Sequence, residues 1–132
     1  MKRKTYQFWV GTFGNENDLF DFVVESPDYY EDEENLDDKY ISKFAESQGE
    51  NWIDHDCIEC GFQDVNLSLT ERFQDYSYSE QWLPEIEQRI KQNKIEKVNS
   101  IVFVAKGEIK KPTDVKQENF SLIYVGEIEC EI

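Results

Sequence analysis

Eight residues near the N-terminus, TYQFWVGT from Thr5 to Thr12, constrain the fold more than any other stretch. β-branched and aromatic residues dominate them. Both alternations are apolar, Tyr6, Phe8 and Val10 on one and Trp9 with Gly11 on the other, which is the pattern of a buried strand. Two further strands are clear, VNSIVFVA at 98–105 and FSLIYVGEIECEI from Phe120 to about Ile128 or beyond. A weaker edge strand is expected over Cys57 to Val65, with Gly61 marking a bulge.

Three helices are expected between these strands. Asn15 can cap the first through Asp18, with Leu19, Phe22 and Val23 at helical spacing, and the helix should run to about Glu25 before Ser26-Pro27 stops it. Leu36, Tyr40 and Phe44, with Ile41, Ala45 and Gln48 alongside, form a second stripe that Gly49 can terminate. Ser79 or a neighbour opens a third helix, with Trp82, Leu83, Ile86 and Ile90 on one face; it ends near Asn93 and accommodates Pro84 only in its first turn. Lys106 to Asn119 is polar, contains Pro112 and four lysines, and reads as a long surface excursion. The order β-α-α-β-α-β-β predicts an α+β fold: a mostly antiparallel sheet of about four strands with about three helices packed on one face. At 132 residues, with no internal repeat or flexible linker, the chain is expected to form one domain over 1–132.

The charge is concentrated. Of a net −15, residues 13 to 65 hold 17 acids against only Lys39 and Lys43, while the remainder holds 12 acids and 12 bases. Residues 28 to 38, DYYEDEENLDD, carry seven acids and no base, too much self-repulsion for a packed element. Such a field disfavours nucleic acid and anionic membrane and attracts basic proteins or cations. Hydrophobic residues at 39%, 14% aromatic, are ample for a folded core. No stretch approaches the roughly 20 apolar residues of a membrane span, the start shows no secretory pattern, and Cys57, Cys60 and Cys130 are an odd number, so a reducing cytoplasm is the expected location.

Asp54-His55-Asp56-Cys57-Ile58-Glu59-Cys60 is the densest cluster of possible ligands. A zinc site needs a second ligand pair to complete a tetrahedron, and none exists. A redox CxxC needs a helix directly after it, and neighbouring acids should raise the thiol pKa values. No nucleophile motif, phosphate loop or EF-hand spacing occurs. No cofactor is therefore expected.

Acids interleaved with aromatics have the composition of a protein-recognition patch, charges for steering and aromatics for anchoring. The candidate contact residues are Tyr29, Tyr30, Glu31, Asp32, Glu33, Glu34, Asp37 and Asp38 in the acid run, and Trp52, Asp54, Asp56 and Glu59 beyond it. The plainer alternative is that the aromatics pin their loops to the core.

FWVGTFGNENDLFDFV, followed some thirty residues on by KFAESQGENWIDHDCIECGF, resembles the immunity protein 22 family of bacterial polymorphic toxin systems. Trp9, Val10, Gly11, Glu16 and Leu19 carry the likeness in the first block, and Asp54, Asp56, Ile58 and Glu59 in the second. Cys57 stands where the family pattern tends to an aromatic. The resemblance implies a small intracellular α+β protein, not an enzyme, that neutralises a cognate toxin, commonly a basic nuclease, by direct binding. It points to Asp56 and Glu59, and less directly Asp54, as functional positions. Two rival readings remain at this level: a small metal- or thiol-dependent hydrolase using His55, Cys57 and Cys60, and an acidic adaptor or nucleic-acid mimic unrelated to toxins.

Overall fold

The computed structural model describes residues 2–27, 29, 39–63, 73–74 and 76–131. The strands are β1 (Arg3–Thr12), β2 (Ile58–Phe62), β3 (Ser100–Ala105), β4 (Val115–Lys116) and β5 (Ser121–Glu131). The helices are α1 (Glu16–Val23), α2 (Lys43–Ser47) and α3 (Ser79–Gln92). All pairings are antiparallel, in the order β2-β3-β1-β5-β4, so β1 is central and β2 lies at an edge.

Helices cover both faces of this sheet, not one as the element order suggests. Trp9, Val102, Val104 and Leu122 pack with Leu19, Phe22 and Phe44 of α1 and α2, whereas Phe8, Val10, Ile101 and Phe103 pack with Trp82, Leu83 and Ile86 of α3. Successive residues of a strand point to opposite sides, so the apolar character of both alternations in β1 serves two cores.

A bulge in β5 keeps that division consistent along its length. Phe8 pairs with Gly126 and Trp9 with Tyr124, leaving Val125 as the extra residue. Gly126 takes a φ of 105°, a left-handed conformation that disfavours a side chain. Arg89 of α3 donates to the carbonyl oxygens of Val125 and Glu127 at 2.9 and 3.0 Å, which satisfies backbone groups the bulge frees.

α1 begins as its sequence predicts, with the Asn15 side chain accepting from the Asp18 amide at 2.9 Å, and ends at Val23. α2 is shorter than its apolar stripe implies. The Ile41 amide donates to the Asn51 carbonyl at 2.8 Å and its carbonyl accepts from the Ser26 amide at 2.6 Å, so Ile41 is committed to neighbouring loops. The helix starts after Ser42, whose hydroxyl accepts from the Ala45 amide at 3.0 Å. Leu36 lies outside the described residues.

Two other expectations change. Pro84 sits in the second turn of α3, where its ring removes the bond to the Glu80 carbonyl, yet the helix continues because Trp82, Leu83 and Ile86 remain buried on either side of it. Gly61 makes no bulge but pairs in register with Ile101, and its missing side chain leaves room for the Tyr76 ring. The 106–119 excursion contains β4, the strand the sequence did not reveal, and is pinned by Thr113, whose carbonyl accepts from the Trp9 indole and the Gln48 amide group, both at 3.0 Å. Among the described residues no helix is long and apolar enough to cross a membrane.

Candidate functional site: an acidic corner at the sheet edge

Residues 52–59 lead into the edge strand through a turn that its own side chains build. The Asp54 carboxylate accepts from the Asp56 amide at 3.0 Å and caps a 3-10 turn over His55–Cys57. The Asp54 amide in turn donates to the Glu108 carboxylate at 3.1 Å, which ties the turn to the excursion. Ile53 is fully buried between Trp52, which is 48% exposed, and Asp54. Asp56 is exposed, and half-buried Glu59 accepts from the Ser77 amide and hydroxyl, both at 3.4 Å.

His55 joins this turn to α1. Its Nε2 lies 3.0 Å from the carbonyl oxygen of Val23 and its Nδ1 lies 2.9 Å from that of Ile53, with a Glu25 carboxylate oxygen 3.8 Å from Nδ1. The Val23 carbonyl is one of those a helix leaves without an internal partner, so the imidazole acts as a C-terminal cap from 32 residues away. Both ring nitrogens lie against backbone carbonyls, and a neutral imidazole donates to one of them at a time.

The tie brings two acidic segments together. Glu16, Asp18, Asp21 and Glu25 in residues 13–27 and Asp54, Asp56 and Glu59 in residues 51–63 belong to stretches with no lysine or arginine. Lys4 and Lys43 approach from other elements, the first beside Asp56 and Glu59 in a polar recess of about 370 Å³, the second beside Asp18 and Asp21. On the other side of β2 lies an apolar groove walled by Phe20, Val23, Val24, Ile58 and Cys60. Sequence reasoning missed Phe20 and Val24. The signal was their i,i+4 spacing off the Leu19, Phe22, Val23 stripe.

Tyr29 is corrected as a contact residue, because it is 7% exposed and belongs to the core beside α1 and α2. Tyr30, Glu31, Asp32, Glu33, Glu34, Asp37 and Asp38 lie outside the described residues.

The thiols are chemically quiet. Burial, then the Glu59 carboxylate, pushes Cys60 up to about 11, and burial, then Asp54 and Glu108, raises Cys57. Among the described residues no group of three or more His, Cys, Asp or Glu is placed to hold a metal ion. At pH 7.5, alkylation of Cys60 by iodoacetamide, followed by peptide mapping, is expected about two orders of magnitude slower than for an unperturbed cysteine, rising roughly tenfold per pH unit until the thiol ionises near 11. Labelling of Cys60 at a free-thiol rate would contradict this.

No curated protein and no solved structure matches the chain. A family model described as Immunity protein 22 matches residues 7–131, which span β1 through β5 and include both blocks that carry the resemblance. The chain therefore belongs to the Immunity protein 22 family.

Proposed function

We propose that this chain is a single-domain cytoplasmic immunity protein that neutralises a basic toxin, a nuclease, by covering the toxin's cationic surface with the acidic corner at α1 and β2. Family membership supports toxin neutralisation in general. The observation that carries the finer reading is the His55–Val23 contact, which joins two segments that together carry seven carboxylates and no lysine or arginine. A nuclease holds its polyanionic substrate with basic groups, and a dense array of carboxylates presents them with a competing anion. Trp52, Asp54, Asp56 and Glu59 form the centre of the contact, and the acid run from Glu31 to Asp38 steers approach. Binding, not chemistry, is the activity.

The test uses the toxin domain encoded beside this gene, with association followed at several salt concentrations. Neutralising Glu31, Asp32, Glu33 and Glu34 together is expected to slow association about tenfold at low salt and flatten its salt dependence. Unchanged kinetics would remove that run from the encounter. Asp56→Ala and Glu59→Ala are expected to speed dissociation; a change below about 0.5 kcal/mol would move them to the rim.

A further inference from the structure

The groove between α1 and β2 takes its walls from both elements, with Glu25 and His55 completing its lining, and encloses about 420 Å³. Its outer lip is unusual. Phe20 and Val24, 42% and 56% exposed, stand one turn apart on the solvent side of α1, while Ile58 and Cys60 form the facing wall and pack inward on the core. Large apolar side chains left in water beside a concave apolar wall mark a contact surface, and the volume is within the range of sites that bury a small ligand.

Charge decides what covers it. Glu25 is the carboxylate on the groove wall, Asp21 precedes it on α1 and Asp54 precedes the lining His55, with no lysine or arginine among the lining residues; Asp56 and Glu59 line the recess across β2 beside Lys4. A second copy of this chain would bring its own net charge of −15 to the same corner, and an anionic lipid surface would be repelled likewise. A cationic protein segment with an apolar residue in its middle meets both requirements at once.

We infer that the α1–β2 groove is an anchor pocket for the toxin: it receives one aliphatic or aromatic side chain from a basic segment whose flanking lysine or arginine meets Glu25. This rests on the immunity reading and deepens it, because it adds a desolvated apolar anchor beside the contact made by Trp52, Asp54, Asp56 and Glu59. Charges at an interface rim set the rate of encounter, whereas a buried anchor sets how long the complex lasts.

The experiment compares the wild-type chain with Phe20→Ser/Val24→Ser and, as a second variant, Val24→Asp, each bound to the same toxin domain. Both positions are substantially exposed, so melting midpoints within a few degrees of wild type are expected and confirm folding. Dissociation is expected to accelerate about thirtyfold in the double variant, association to change less than about threefold, and the loss to persist in high salt. If wild type binds and the double variant dissociates at the same rate, the anchor pocket is wrong while the immunity reading stands. Failure of the wild-type chain to bind would remove both. A wild-type dimer that the double variant abolishes, or a small apolar molecule retained only by wild type in native mass spectrometry, would overturn the inference in favour of that occupant.

Discussion

Gly11→Ala is expected to cost more than about 3 kcal/mol and to lower the melting midpoint by at least about 10 °C. A Cβ at this position would run into the carbonyl oxygen of Ser121 and lie 2.8 Å from its carbonyl carbon and 2.9 Å from the Cα of Leu122. All three atoms are backbone of the paired strand, so relief requires β1 and β5 to separate where they are held in register from Trp9 to Thr12. Reducing the freedom of the unfolded chain returns only about 0.5–1 kcal/mol. Gly49→Ala is the control: its φ is 75° but nothing lies within 4 Å of the added carbon, so its penalty is about 1 kcal/mol, from backbone strain alone. Equal melting of the two variants would show that the strands do not approach this closely.

Asn99→Ala is expected to cost about 3 kcal/mol, because one side chain satisfies three buried groups. Its Oδ1 accepts from the Phe13 amide at 2.9 Å and the Ser100 hydroxyl at 2.7 Å, and its Nδ2 donates to the Phe13 carbonyl at 2.9 Å. Its backbone amide donates to the Gly11 carbonyl and its carbonyl accepts from the Gln63 amide, both at 2.9 Å. The residue thus ties the end of β1, the end of β2 and the approach to β3. Each buried group left without a partner costs about 1–3 kcal/mol, reduced where water or small shifts rescue it. Asn99→Asp restores the acceptors but turns an ionised oxygen toward the Phe13 carbonyl, so at neutral pH it should be no more stable than the alanine variant. A urea midpoint for Asn99→Ala equal to that of wild type would refute the assignment.

These two residues clarify what the sequence could and could not reveal. Trp9, Val10 and Gly11 carry the first block of the family resemblance, and all three are structural: Trp9 and Val10 are buried at 0% and 1%, and Gly11 permits the close approach of β5. That block was legible because strand alternation and capping are local, as the Asn15 to Asp18 bond shows. The two-sided cover was also written in β1, but element order argued for one face and alternation was the stronger signal. β4, two residues long, has no periodicity to read. Trp52 and Tyr29 looked alike in sequence, and only contacts with distant elements decided that one is exposed and the other buried. The proximity of Asp54, Asp56 and Glu59 follows from their spacing. The junction of their segment with α1 does not, because it depends on an imidazole reaching a carbonyl 32 residues upstream.

β2 is held by a single neighbouring strand, and the described candidate contact residues hang from it, from the turn before it and from the helix beside it. Exchanging those outward side chains leaves the packing of the three middle strands untouched. An inhibitor arranged in this way can follow a drifting target by surface changes at one margin while its interior stays as it is.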